Sequence, residues 1–182
     1  MRKSFMILLS VVLMAGNATT LKAQTSTAKN TLAGVVFIVP VALTQTSQLH
    51  FGTINLVSIA PGTCILSTDG VRTFTGGLNG SASAPLATNA AYRVTGKIGA
   101  AYSVTLPDDE VILKMGDSDS DTDNVMVTKF TSRFLGAPAN ALTSKLNISG
   151  TDSFVVGATL RTMASQEAGV YTGTFNVCID YN

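Results

Sequence analysis

Residues 171–182 read Tyr-Thr-Gly-Thr-Phe-Asn-Val-Cys-Ile-Asp-Tyr-Asn, in which large apolar residues occupy only odd-numbered positions. Successive side chains of a β-strand point to opposite faces, so the odd-numbered residues would share one face. Burial of each large apolar group would contribute about 1.5 to 3 kcal/mol before the entropy cost. The pattern predicts a strand with one face on a core and the other in water, as in the ordinary last strand of a β-sandwich. Gly173 would mark a bulge or a close backbone approach.

The rest of the chain has a similar short-period pattern. Short alternating runs rich in Val, Ile, Thr, Tyr and Phe are separated by Gly, Pro, Asn and Asp, and helical spacing is almost absent. Such runs predict antiparallel strands. The candidate strands are residues 35–44, 49–54, 63–66, 71–75, 91–94, 101–106, 111–114, 125–130, 154–160 and 170–181. We expect a helical turn at residues 140–146 and an all-β fold, an immunoglobulin-like (pilin-like) antiparallel β-sandwich.

The amino terminus predicts export. Arg2 and Lys3 precede a short apolar run over residues 5–15, and a polar stretch leads to Ala23. This combination is typical of a secretory signal peptide, and the run is too short to span a bilayer. We expect residues 1–23 to be removed, residues 24–34 to form a mobile segment, and residues 35–182 to form one β-sandwich domain. The mature chain would have no membrane span and would pass through the periplasm to the cell surface or the medium.

The charged residues argue against nucleic acid as a partner and identify one acidic loop at residues 117–123. The predicted signal peptide holds three of the 12 basic residues, so the mature chain is slightly acidic and unsuited to nucleic acid. Four carboxylates alternate at Asp117, Asp119, Asp121 and Asp123. A helix-loop-helix calcium site needs Gly at the sixth place and Glu at the twelfth, where this chain has Thr122 and Thr128. These departures favour a solvated acidic hairpin tip that discourages aggregation, and a sandwich-loop cation site stays the alternative.

Cys64 and Cys178 are the two cysteines. An exported protein folds in an oxidising compartment, where an even number of cysteines predicts disulfide bonds. We therefore expect a Cys64–Cys178 disulfide, which would stabilise the fold mainly by restricting the unfolded chain. Free thiols, or a link to a second chain, are the alternatives.

Catalytic residues are scarce. His50 is the only histidine, so no second histidine could activate a cysteine. The chain contains no Gly-x-Ser-x-Gly turn, no Cys-x-x-Cys pair and no histidine cluster. We expect no enzymatic activity and no cofactor.

The last fourteen residues resemble the carboxyl end of chaperone-usher pilins. Those pilins end in alternating apolar residues with a penultimate Tyr and a Gly fourteen places from the end; here Tyr181 is penultimate and Gly169 is fourteenth from the end. In pilins a periplasmic chaperone grips this edge strand through main-chain pairing. The resemblance implies a chaperone- and subunit-pairing strand that comprises Gly169, Tyr171, Phe175, Val177, Ile179 and Tyr181.

A broader resemblance spans nearly the whole mature chain. Its pieces are residues 40–44 (PVALT), 49–54 (LHFGTI), 72–77 (RTFTGG), 92–96 (YRVTG), 102–107 (YSVTLP), 156–160 (VGATL) and 171–175 (YTGTF). In this order they resemble domain of unknown function 4402, a secreted bacterial family that looks related to pilin and spore-coat U domains. Members usually carry other residues at the two cysteine positions, so the resemblance implies no disulfide.

The resemblances imply assembly by strand addition. Pilins fold with one strand missing, and a neighbouring subunit fills the groove with its amino-terminal extension. The candidate donor strand is one parity of a segment that continues to about residue 39, with Leu32, Gly34, Val36 and Ile38 on one face. The alternative is that residues 35–44 are the first strand of this domain.

These observations lead us to expect a non-enzymatic secreted structural subunit of a fimbria-like or surface assembly, with a role in cell adhesion. Its partners would be identical or related subunits, together with a periplasmic chaperone and an outer-membrane usher. The alternative is a monomeric secreted immunoglobulin-like module that binds a glycan or calcium.

Overall fold

The computed structural model describes residues 34–116 and 124–182. Residues 37–182 form one compact unit, and residues 34–36 fall in a separate amino-terminal unit. The described ranges contain no helix, and therefore none long and apolar enough to cross a membrane. The strands are β1 (Ala42–Ser47), β2 (Ile54–Leu56), β3 (Gly62–Leu66), β4 (Arg72–Gly76), β5 (Leu78–Gly80), β6 (Ala90–Thr95), β7 (Ala101–Thr105), β8 (Val111–Lys114), β9 (Asn124–Phe134), β10 (Thr143–Lys145), β11 (Thr151–Arg161) and β12 (Cys178–Tyr181).

The strand β11 organises a seven-stranded antiparallel sheet. One edge of β11 pairs with β6 over residues 151–156 and then with β3 over residues 158–161. Its other edge pairs with β9 over residues 154–161. The strands β1, β4 and β8 extend the sheet by pairing with β6, β3 and β9. Both edges of β11 are therefore covered, which suits its mostly buried side chains.

A three-stranded sheet packs over one part of the large sheet. The strand β7 is its middle strand, with β10 on one edge and β12 on the other. Tyr102 of β7 is fully buried and meets Phe134 edge-on, with ring centroids 5.8 Å apart. Its hydroxyl donates to Asp152 Oδ2 at 2.9 Å, and Ser144 Oγ donates to the same oxygen at 2.6 Å. Two packed antiparallel layers confirm the predicted all-β sandwich; the immunoglobulin-like strand order stays a prediction.

The core has two neighbouring clusters. The first lies between the two sheets and is built from Ala90, Tyr92, Val94, Tyr102, Val104, Leu106, Phe134, Leu146, Phe154 and Val156. The second lies under the two-stranded sheet of β2 and β5 and is built from Phe51, Cys64, Leu66, Leu78, Val125, Val127, Ala158 and Leu160. Phe130 packs against both clusters.

A bulge in β9 turns Phe130 inwards. Val127 is buried at an odd position, whereas Ser132 is buried at an even one. Between them Lys129 has φ 52°, and the register with β11 shifts. One extra residue in a strand exchanges its two faces, as a β-bulge does. The Phe130 ring thereby reaches Phe175, with centroids 4.9 Å apart.

The strand predictions differ from the structure in several places. The first strand begins at Ala42 instead of residue 35. Residues 49–53 form only a bridge from His50 to Thr88, and the next strand, β2, begins at Ile54. The strand β5, Leu78–Gly80, lies between residues 75 and 91, where no strand was predicted. Residues 140–146 contain β10 instead of a helical turn, because the Ser144 hydroxyl and the main chain of residues 143–145 bind neighbouring strands. The last strand is shorter than predicted and covers Cys178–Tyr181.

Three predicted features lie outside the described residues. They are the signal peptide with most of the segment that follows it, Leu32 of the candidate donor strand, and the loop that carries Asp117, Asp119, Asp121 and Asp123.

Candidate interaction site at the carboxyl-terminal segment

The terminal segment, residues 171–182, points its side chains as the alternation predicts. Tyr171, Phe175, Val177 and Ile179 are half-buried and pack against the two core clusters. The even-numbered side chains between them are exposed. Tyr181 is 37% exposed at the end of the row. The structure therefore brings these predicted residues to one face, and it places Gly169 beside them in the preceding loop, against the Met115 side chain.

The main chain of the terminal segment is only partly paired. Thr172 exchanges two hydrogen bonds with Lys114 of β8, both 2.9 Å long. Cys178–Tyr181 pairs with β7, and the Asn182 amide donates to the Ala101 oxygen at 3.1 Å. Within the described ranges, residues 173–177 make no main-chain hydrogen bond. The gap arises because the partner edge is interrupted between β7 and β8, where residues 106–110 belong to no strand.

The outer edge of residues 173–181 is also open. The main-chain groups of successive strand residues point to opposite edges, and Thr172 and Asn182 direct theirs to β8 and β7. The main-chain N–H and C=O groups of the odd-numbered residues between Thr172 and Asn182 must therefore point outwards. The strand β12 is the edge strand of its sheet, and no described segment is hydrogen-bonded to that outer edge. An unpaired edge of this kind is a ready template for another strand.

Gly173 lets the segment approach β8 closely. A Cβ on Gly173 would lie 2.8 Å from Leu113 Cδ2 and 2.9 Å from the main-chain oxygen of Ile112. Both distances are too short for any side chain, so the close backbone approach predicted at this glycine is confirmed.

An apolar cleft of about 610 Å³ opens at the Tyr171 end of the terminal segment. One wall is formed by residues 49–56 and the other by residues 166–171. Core side chains of Leu78, Val125 and Leu160 line it between the walls. At the opposite end of the terminal segment, the Tyr181 hydroxyl donates to the Val39 oxygen at 3.1 Å. This hydrogen bond ties the end of the chain to the residues that precede β1.

Polar contacts hold both walls in place. The Arg72 guanidinium donates to the main-chain oxygens of Phe51, Thr53 and Ser81 at 2.9 to 3.1 Å, and lies over the Phe74 ring at 5.3 Å. On the other wall, the Tyr171 hydroxyl donates to the Glu167 oxygen at 2.7 Å. The walls are therefore built features of the fold.

His50 shapes the first wall. Its Nδ1 accepts a hydrogen bond from the Gly52 amide at 2.8 Å. Gly52 has φ +77°, and a Cβ there would lie 2.8 Å from the Ala87 nitrogen. Only glycine fits this turn, and the imidazole nitrogen satisfies its amide.

An apolar extension, residues 35–39, precedes β1. Its five side chains are exposed, from 56% at Val39 to 89% at Phe37. The described part of the chain contains no main-chain hydrogen bond to residues 34–38. Of the candidate donor residues, Gly34, Val36 and Ile38 are all exposed. Five consecutive exposed apolar residues are unusual for a monomer and are typical of an interaction segment.

Cys64 and Cys178 are both free, so the predicted disulfide is absent. Cys64 lies in β3 with a fully buried side chain, whereas Cys178 is exposed on β12 of the other sheet. Burial raises the pKa of the Cys64 thiol to about 11, although the positive charge of Arg72 opposes the shift. The Cys64 thiol therefore stays protonated at neutral pH.

The described residues contain no group of three or more His, Cys, Asp or Glu side chains that could hold a metal ion. Three features escaped the sequence analysis: the cleft, the Arg72 contacts that hold its rim, and the Tyr102–Asp152–Ser144 cluster. All three join residues distant in sequence. A lone Arg72 within an otherwise uncharged strand was the one available signal.

Comparison with known proteins gives one positive result. The family described as Domain of unknown function (DUF4402) matches residues 41–181. Comparisons with curated proteins and with solved structures give no match. The match spans both core clusters and the terminal segment up to its penultimate residue. The chain therefore belongs to the DUF4402 family.

Proposed function

We propose that the protein is a non-enzymatic structural subunit of a fimbria-like surface assembly whose subunits join by strand addition. One observation carries the proposal. Residues 173–177 make no main-chain hydrogen bond within the described part of the chain, although Phe175 and Val177 pack on the core. The segment is thus held in place by its side chains while its main chain is free to pair.

Strand addition is favoured because main-chain polar groups near a core need hydrogen-bond partners. Peptide N–H and C=O groups near a core are almost always hydrogen-bonded, and an added strand satisfies them. An added strand also covers the half-exposed apolar row beneath it. The apolar extension would supply this strand, since it carries apolar side chains on both of its alternating faces.

The biological setting follows from the predicted signal peptide. The protein would be exported, and in the periplasm a chaperone would cover the open edge until an outer-membrane usher passes the subunit to its neighbours. Identical or related subunits would then assemble at the cell surface, where the assembly would serve adhesion.

Two contacts support a non-enzymatic role. His50 Nδ1 is used by the Gly52 amide, and the Cys64 thiol is buried with a raised pKa. Neither group is poised as a base or a nucleophile.

The test is gel electrophoresis of the purified mature protein in SDS with and without heating. Subunits joined by strand addition should form a ladder that collapses to one band on boiling. Deletion of residues 24–39 should abolish the ladder, whereas Leu135→Asp, at a residue outside both pairing segments that is 84% exposed, should leave it unchanged. A single unheated band from the wild type would contradict the proposal, and a rise in its melting temperature with calcium would then support the monomeric binding module.

A further inference from the structure

We propose that the cleft at Tyr171 receives the Phe37 side chain of a second copy of this chain, so that Phe37 fixes the register of strand addition. This inference rests on the proposed function and adds the partner, the anchor residue and the direction of the added strand.

The cleft suits a large apolar side chain. Its volume of about 610 Å³ is lined by apolar side chains that include Leu49, Phe51, Leu113 and Leu160. Pockets of about 300 to 1,000 Å³ usually hold whole small ligands, so a single valine would leave most of this space empty. An aromatic ring together with its neighbours in the strand would fill it better.

The apolar extension offers one aromatic residue, Phe37, which is also its most exposed member. Val35 and Val39 share its parity, so this face carries three apolar side chains. The opposite face, singled out by the sequence analysis, includes Gly34 and therefore lacks one side chain. No charged residue lies between Gly34 and Gln45, so insertion would bury no charge of the extension. The size of the cleft favours the face that carries Phe37.

The reach of the chain excludes self-insertion. The Tyr181 hydroxyl holds the Val39 oxygen at 3.1 Å, at one end of the terminal segment. The cleft lies beside Tyr171, ten residues away, which corresponds to about 30 Å of strand. Phe37 is two residues from Val39, and two extended residues span about 7 Å. Phe37 therefore cannot reach the cleft of its own subunit while this hydrogen bond holds, and a second copy is needed.

The direction of the added strand follows from the same constraint. In the donor subunit, residues from Ala42 onwards are already paired in β1. With Phe37 in the cleft, Gly34, Val35 and Val36 would lie beside residues 173–177 of the acceptor. The added strand would therefore run antiparallel to the terminal segment.

The first experiment compares Phe37→Ala with Ile38→Ala in the mature full-length protein. Both side chains are more than 80% exposed, at 89% and 81%, so neither change should weaken the fold of the subunit. Loss of a buried aromatic contact should raise the concentration of half-assembly about 10- to 100-fold for Phe37→Ala. Ile38→Ala should change it about threefold or less. Static light scattering of a dilution series measures both values.

The outcomes separate the two proposals. If Ile38→Ala weakens assembly and Phe37→Ala does not, the register is wrong while strand addition stands. If the wild type never assembles, the proposed function fails and this inference fails with it.

Cross-linking tests whether the donor is a second copy. In a Cys178→Ser background, Phe37→Cys combined with Leu56→Cys in the cleft wall should yield covalent multimers on mild oxidation. The control pair, Ile38→Cys with Leu56→Cys, should yield few. A covalently closed monomer from the first pair would show self-insertion and overturn the inference.

Discussion

The hydroxyl of Tyr181 donates a hydrogen bond to the main-chain oxygen of Val39 at 3.1 Å and accepts one from the Lys97 amide at 2.7 Å. The penultimate residue thereby ties the end of the chain to the segment that enters β1. Gly96 makes room for it, because any Cβ there would collide with the Tyr181 hydroxyl. This contact closes the space between the two segments at one end, while the cleft at Tyr171 leaves the other end open.

Removal of the Tyr181 hydroxyl should loosen this junction. Tyr181→Phe keeps the ring but loses both hydrogen bonds, so we expect the free energy of unfolding to fall by about 1 kcal/mol. Urea denaturation measures the change. Tyr92→Phe is the matched control, since the Tyr92 hydroxyl makes no hydrogen bond within residues 34–116 and 124–182. Equal losses in the two variants would show that the Tyr181 contacts contribute little.

A side chain at Gly173 should push the terminal segment away from β8. Gly173→Ala would place a methyl group against the Ile112 oxygen, so we expect destabilisation of about 1 to 3 kcal/mol. Gly34→Ala, at an exposed glycine with no atom within 4 Å of the added Cβ, should change stability very little. Thermal unfolding of both variants gives the comparison, and an unchanged melting temperature for Gly173→Ala would argue against the close approach.

Arg72 should contribute more to the free energy of unfolding than an ordinary exposed arginine. Arg72→Ala removes donors from three main-chain oxygens at the cleft wall, and we expect a loss of about 2 to 3 kcal/mol. Arg72→Lys should recover only part of it, because a compact ammonium lacks the planar fork. Arg93→Ala, at an exposed residue of β6, is the control and should be nearly neutral. Chemical denaturation measures the loss of stability in each variant. Equal losses for Arg93→Ala and Arg72→Ala would contradict this account.

The two thiols should differ sharply in reactivity. A thiol reagent should modify exposed Cys178 in the native protein at once, and buried Cys64 only after unfolding. Cys178→Ser should abolish the fast reaction. If the unreduced, denatured protein releases no thiol at all, a disulfide is present and the assignment of free cysteines is wrong.

The pKa of Cys64 also predicts a response to alkali. Burial raises this pKa from 9.0 to about 11, so the folded state holds the thiol proton more tightly than the unfolded state. The associated stability is complete below pH 9 and is lost as the pH rises towards 11. Burial also raises the pKa of Tyr102, which adds to the same decline. Cys64→Ala should therefore lessen the alkaline fall in melting temperature without removing it.

Local patterns in the sequence predicted which face of a strand packs on the core, but they did not predict which strands pair with each other. The parity of Phe175, Val177 and Ile179 identified the side that packs on the core, because alternation alone fixes it. The gap in pairing at residues 173–177 was not predictable from the segment itself. It depends on where β7 ends and β8 begins, and these two strands lie elsewhere in the chain.

Two other differences have similar causes. The alternation in β9 changes parity at Lys129, so the strand was predicted to end at Phe130, whereas the bulge lets it continue to Phe134. The strand β10 is three polar or charged residues long and has no alternation to detect; its pairing with β7 makes it a strand. The cleft and its Arg72 rim likewise depend on contacts between residues about twenty or more positions apart.

Hydrogen exchange at the amides of residues 173–177 tests most directly whether this open edge is completed by another subunit. In dilute monomer these amides have no main-chain partner within the described chain and should exchange rapidly. On assembly, the outward amides of Gly173, Phe175 and Val177 should become protected, while the already paired amide of Thr172 should change little. Rapid exchange at Phe175 and Val177 in assembled protein would show that no strand is added there and would contradict the account.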